Sequence, residues 1–187
     1  EITTRLVGSE MCIRDRSTHP TEEKVLFDVF NEIIKSYPEA RLVIAPRKPG
    51  RADEISKLAK QYYWESGFRS KLLEIKGARS KYPVLLIDTI GELGRIYSVG
   101  DVVFVGGSLI KHGGHNVLEP AAHAKPILVG PNMQNFKDSY ALLSKVGACK
   151  MINNSAELTK EVLDIVGNDE RRLQICLLYT SPSPRDA

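Results

Sequence analysis

The stretch Asp101–Gly130, DVVFVGGSLIKHGGHNVLEPAAHAKPILVG, carries a strand, a glycine turn, a helix and a second strand in succession. Its first part, Asp101 to Gly107, is an apolar run stopped by two glycines. Two more glycines, Gly113 and Gly114, precede a segment from Asn116 to Ala124 that reads as a helix, and Pro126 to Gly130 is again apolar. Two strands joined by a crossover of this length pair in parallel, because a tight hairpin is not available to them. Both strands are continuous apolar runs and do not alternate, which is the mark of a sheet buried on both faces.

The same alternation extends outward in both directions. Apolar residues Val25, Leu26, Val29, Phe30, Ile33 and Ile34 form one helical stripe over Glu22–Tyr37, with Thr21 or Thr18 as candidate caps. RLVIAP (Arg41–Pro46) follows as a strand, Asp53–Trp64 as a helix, and VLLID (Val84–Asp88) as a strand, with a weaker strand at Leu72–Ile75. Gly91–Ser98, Asp138–Val146 and Asn154–Val166 read as helices, and a last helix starts near Asn168. Asn154 and Glu157 have capping-box spacing. The fold class expected is α/β: a Rossmann-like parallel sheet with helices on both faces.

The two ends stand apart. One DNA string, read on its two strands in shifted frames, encodes both RLVGSEMCIRDR (Arg5–Arg16) and CLLYTSPSPRD (Cys176–Asp186). Residues 1–16 and 176–187 are therefore expected to be non-native, adapter-like tails, with Glu1–Thr4 of unknown origin, and residues 17–175 to be one Rossmann-like domain cut at both ends. Removing the four cations and three anions of Arg5–Arg16 and Cys176–Asp186 lowers the formal charge from +3 to +2. That even balance argues against a nucleic-acid partner. Of the three cysteines only Cys149 then remains, which excludes a disulfide framework and fits a reducing compartment. No apolar run approaches the ~20 residues that span a bilayer.

In an open parallel sheet, ligands bind beyond the carboxyl ends of the strands. Arg47 lies there after the first strand, Thr89, Ile90 and Gly91 after the second, and Gly106, Gly107 and Ser108 after the third. The glycines let backbone approach a ligand closely. The first turn from Asn116 is expected to offer unpaired N–H groups to a phosphate or carboxylate. Glu119 in that turn is expected to stay ionised, its paired acceptors suiting a ribose diol. GxGxxG, GxxxxGK[ST] and GxSxG are absent, which sets aside a nicotinamide site, a P-loop and a hydrolase elbow. His112 and His115 lack nearby Cys or carboxylate at ligand spacing, so no metal and no cofactor are expected. The plainer readings are a packing role for His123, a loop-ordering role for His115, and core or rim packing for Tyr62, Tyr63 and Trp64.

STHPTEE, PRKP, DTIGELG, YSVGDVVFVGGSL, GGHNVLEPAAHAKPILVGP and NFKD occur in that order from Ser17 to Asp138. Together they closely resemble the C-terminal half of the bacterial 3-deoxy-D-manno-octulosonic acid (Kdo) transferases of lipopolysaccharide synthesis. The resemblance implies the nucleotide-binding half of a two-domain GT-B glycosyltransferase, with CMP-Kdo as donor and a lipid A precursor as acceptor. It implies that Pro46 and Arg47, then Ile90, Gly91 and Glu92, then Asn116, Val117, Leu118 and Glu119 contact the CMP portion. Gly106, Gly107, Ser108 and Gly114 join the expected donor-binding set as turn residues. The resemblance also implies inverting, metal-independent transfer, with the general base in an N-terminal domain that also carries the membrane-associating segment. The parent would then sit at the cytoplasmic face of the inner membrane, and residues 17–175 alone would not transfer sugar. Related nucleotide-sugar enzymes often have a second glutamate eight residues before the ribose-binding one; Lys111 stands at that place. The alternatives are a non-catalytic nucleotide-binding module, or another nucleotide-sugar transferase or epimerase.

Overall fold

The computed structural model describes residues 20–73 and 82–179. In chain order it contains α1 (Pro20–Ser36), β1 (Leu42–Ile44), α2 (Ala52–Gln61), β2 (Ser66–Phe68), α3 (Arg69–Leu73), β3 (Val84–Leu86), α4 (Leu93–Val99) and β4 (Val103–Val105). Then come α5 (Leu118–Ala121), β5 (Ile127–Val129), α6 (Lys137–Lys145), β6 (Cys149–Met151), α7 (Ser155–Val166) and α8 (Asp169–Leu177). The strands form two parallel triplets, β1-β3-β2 and β4-β5-β6. In the first, Leu42 and Ser66 both stand opposite Val84; in the second, Val103 and Cys149 both stand opposite Ile127.

Alternate residues of the strands serve two faces, and helices cover both. Leu42, Ile44, Val84, Leu86, Phe104 and Leu128 point into one cluster with Leu26, Phe27, Phe30 and Ile33 of α1, Ile55 and Ala59 of α2, and Leu158, Val162 and Ile165 of α7. This cluster draws on both triplets, so it joins them into one core. The intervening residues face the other way. Val43 and Ile87 meet Ile96 of α4, while Val103, Val105, Ile127 and Val129 meet Tyr97, Ala121 of α5, and Tyr140 and Leu143 of α6. Strands buried on both faces are the reason the sequence shows unbroken apolar runs.

Several details differ from the sequence reading. The expected strand at Leu72–Ile75 is absent where it is described: Leu72 and Leu73 close α3, and residues 74–75 lie outside the described set. The strand of this region is β2, an edge strand without the apolar run that would announce it. β6 was not expected, because Lys150 interrupts its apolar pattern with an exposed side chain. Thr21 lies inside α1 and so is not its cap; Thr18 and residues 1–16, expected to be a non-native tail, fall outside the described residues. At the other end, α8 runs past Ile175 to Leu177, and the Tyr179 hydroxyl sits 2.8 Å from the Lys125 carbonyl and 2.7 Å from that of Ala148. The helix therefore does not stop at the boundary drawn between 175 and 176.

Other readings hold. Asn154 Oδ1 accepts from the Glu157 amide at 2.9 Å and so caps α7, while the Glu157 carboxylate reaches back to the amide of Asn153, one residue before the cap, at 2.8 Å. Tyr62 stacks on Phe27 at 5.2 Å, and Trp64 packs on Phe30 while its indole N–H donates to Asn31. Tyr63, by contrast, is 96% exposed. His123 packs on Tyr97. No described helix is long and apolar enough to cross a membrane.

Candidate functional site

The carboxyl ends of β1, β3, β4 and β5 converge on a cavity of about 790 Å³. Its wall is supplied by Pro46 and Arg47 after β1, and by Thr89, Ile90 and Gly91 after β3. After β4 come His112, Gly114, His115, Asn116 and Glu119, and after β5 come Asn135 and Phe136. The size suits a nucleotide-scale ligand. Arg47 is exposed at the mouth, and so is Ile90, which keeps 89% of its surface in water.

The two glycine pairs have different fates. Gly106, Gly107 and Ser108 do not reach the cavity; all three are buried. Their turn is filled from inside by Glu22, which projects from the first turn of α1 and is 1% exposed. Glu22 Oε2 accepts from the Gly107 amide at 2.9 Å, and Oε1 accepts from Ser108 and Leu109 at 3.1 and 3.0 Å. The turn is an anion site, as its glycines imply, but the anion is part of the chain. Gly106–Ser108, expected among the donor-binding residues, thus lie behind the cavity wall. Gly107 adopts φ 65°, and a Cβ there would lie 2.7 Å from His115 Nε2, so the close approach that needs glycine is to that ring.

Ser108 fastens the turn to its neighbours. Its hydroxyl donates to the Val105 carbonyl and accepts from the Gly130 amide at 2.7 Å. Its carbonyl accepts from the Asn132 amide and side chain at 2.9 and 3.1 Å. A Cβ on Gly130 would lie 2.3 Å from the Ser108 carbonyl oxygen, which leaves no room for any side chain. The second pair, Gly113 and Gly114, completes the loop and reaches the cavity through Gly114. Gly114 donates to the Gly107 carbonyl at 2.9 Å, and Asn135 binds the Gly113 and His112 carbonyls from below.

The helix expected over Asn116–Ala124 is a single turn, α5. Pro120 stands in its first turn, where the helix needs no amide donor, and the turns that follow end at Ala124, at φ 52°. Asn116 Oδ1 accepts from the Leu118 amide at 3.0 Å, so one of the donors expected for a phosphate is already satisfied. Four residues also align too few peptide dipoles for a large terminal charge. Glu119 and Asn116 nonetheless line the cavity, while Val117 is fully buried against Tyr97 and Val103, and Leu118 is half exposed off the wall.

Glu92 is likewise turned from the cavity. Its carboxylate pairs with Arg69 at 2.9 Å and accepts from the Thr89 hydroxyl. The Thr89 hydrogen bond first, and then Arg69, hold it below the usual glutamate range. The neighbouring Asp88 accepts from the Ser70 amide and hydroxyl. Together these bonds fix the Thr89–Gly91 corner, so Glu92 acts on the wall through Thr89.

Of the expected donor-binding residues, the cavity thus gathers Pro46, Arg47, Ile90, Gly91, Gly114, Asn116 and Glu119. It adds Thr89, His112, His115, Asn135 and Phe136, which the sequence reading left out of the binding set. Asn135 and Phe136 stand in the NFKD motif, which was the available signal. Among the described residues, no three His, Cys, Asp or Glu side chains are grouped to hold a metal ion.

Similar proteins fit this arrangement. The chain is 31% identical over 154 residues to the 3-deoxy-D-manno-octulosonic acid transferase of Haemophilus influenzae, a match covering 82% of this chain and 35% of that protein. It is 31% identical to the transferase of the same name from Aquifex aeolicus, covering 80% of this chain and 40% of that one. The fold matches the crystal structure of the C-terminal CMP-Kdo binding domain of WaaA from Acinetobacter baumannii, with a TM-score of 0.81, 26% identity, and coverage of 92% and 88%. The chain therefore spans a little over a third of the length of the curated relatives it matches. No protein-family model matches it.

Two outcomes are expected from this geometry. Ser108→Ala leaves the buried Gly130 amide without its acceptor, and urea denaturation should show a loss of about 1–3 kcal/mol. Glu92, whose folded pKa is depressed, contributes stability that is full above its unfolded pKa and fades as pH falls through the folded value. The stability difference between wild type and Glu92→Gln should therefore be constant at neutral pH and shrink below roughly pH 4; a difference that persists at pH 2 would contradict the ion-pair assignment.

Proposed function

The chain belongs to the 3-deoxy-D-manno-octulosonic acid transferase family, and on that premise we propose that it forms the donor-binding half of a glycosyltransferase acting on CMP-Kdo. The observation that supports this most is the convergence of Pro46, Arg47, Ile90, Gly91, Asn116 and Glu119, from three separate strand ends, on one nucleotide-sized cavity. These are the positions that the family resemblance assigns to the CMP portion of the donor.

In this reading, Glu119 accepts hydrogen bonds from the ribose hydroxyls, a role that only an acceptor with two oxygens performs well. Negative charge grows on the CMP phosphate as the bond to the sugar breaks. A full positive charge at the mouth, Arg47, and backbone N–H dipoles at the Asn116 turn stabilise that charge better where water is excluded. The short helix contributes less than a long one would. The acceptor is a lipid A precursor, whose hydroxyl attacks the anomeric carbon with inversion and without a metal. The base that takes its proton belongs to the remainder of the enzyme, which works at the cytoplasmic face of the inner membrane.

Isothermal calorimetry tests the reading: CMP should bind more tightly than UMP or UDP. Glu119→Ala should weaken CMP by about 1–3 kcal/mol. Equal binding of uridine nucleotides would turn the assignment toward another nucleotide-sugar enzyme. The chain alone, given CMP-Kdo and a lipid A precursor, should show no transfer; product in a radiolabel assay would overturn the division of labour.

A further inference from the structure

Resting on the reading of the cavity as a nucleotide-donor site, we propose that Glu22, which does not touch the cavity, is the positioning residue that sets the geometry of the donor wall. The three bonds from its carboxylate fix the orientation of the peptides at Gly107, Ser108 and Leu109. Each of those peptides leads to a different piece of the wall. The Gly107 carbonyl accepts from Gly114, and the Gly107 Cα abuts the His115 ring. The Ser108 carbonyl accepts from Asn132, three residues before Asn135, whose amide in turn donates to Gly113. Rotating the Gly107–Ser108 or the Ser108–Leu109 peptide breaks the bond to Gly114 or to Asn132, and turning the Gly107 amide moves the backbone against which His115 lies.

The adjacent carboxylate shows that this is not a generic effect of acid in the first turn of α1. Glu23, 2% exposed, is spent on Arg51 at 2.9 Å and has no such route to the wall. Glu22 takes backbone donors, and its two oxygens divide them: Oε1 serves Ser108 and Leu109, and Oε2 serves Gly107. Glu22→Gln preserves shape and can retain the first pair, but its amide nitrogen then faces the Gly107 N–H, donor against donor. The disturbance enters at Gly107 and passes first to Gly114–Asn116.

The test uses the whole chain, ¹⁵N-labelled, as wild type, Glu22→Gln and Glu22→Asp, with CMP as the probe. Far-UV circular dichroism checks folding, calorimetry gives CMP affinity, and amide resonances report the loop. Glu22→Gln is expected to fold, to bind CMP about tenfold more weakly, and to move the resonances of Gly107 and Gly114–Asn116 while those of Ser108 and Leu109 stay. Glu22→Asp, one methylene short, should move all of them. Affinity within about twofold of wild type, or unmoved Gly114–Asn116 resonances, overturns the proposal. So does failure of both variants to fold, since the carboxylate is then a folding determinant and not a positioning one. If wild type itself does not bind CMP, the donor reading fails, and the resonances alone decide the role of Glu22.

Discussion

A single buried carboxylate joins the start of the described chain to its centre. Glu22 and the amides that bind it are 85 to 87 residues apart. Removing a charge from water is costly unless hydrogen bonds replace its hydration. The three amides have the same need, since a buried N–H without an acceptor is also costly. Neither the first turn of α1 nor the glycine turn after β4 is satisfied without the other. That mutual need fixes where α1 lies on the sheet, and it removes the glycine turn from the list of surfaces open to a ligand.

The rest of the site is arranged around what that contact leaves available. With the first glycine pair sealed, the loop turns back on itself through the Gly114–Gly107 bond and presents Gly114–Glu119 to the cavity. The opposite wall is fixed independently. Arg69, Thr89 and Glu92 hold the corner after β3, and Ser70 holds Asp88 beside it. Charge is distributed accordingly: a cation at the mouth on Arg47, a carboxylate on Glu119, and Asp88 and Glu92 bonded to Ser70, Thr89 and Arg69.

Much of the fold could be read from the residues because burial imposes a period. The stripe along α1 and the unbroken apolar runs of β1, β3, β4 and β5 each reflect a surface that must be covered. β2 and β6 escaped because Gly67 and Lys150 break the apolar pattern in strands of only three residues. The helix at α5 is shorter than its apolar spacing suggests because the backbone turns off at Ala124, at positive φ. At the site, topology pointed to the rim, and the family likeness named Pro46, Arg47, Ile90, Gly91, Asn116 and Glu119, which line the cavity there. The Glu22 contact was not legible. A glutamate in the first turn of a helix is ordinary on dipole grounds alone, and no local pattern ties it to a loop so distant in sequence.

Gly130 shows what such packing means over generations. Its neighbour is the Ser108 backbone, not a side chain able to swing aside. Every missense change in its codon adds at least one carbon where the peptide already sits. Descendants of this gene are free to vary the exposed residues of the loop above it, yet drift at this one codon is closed unless the strand end and the glycine turn move together.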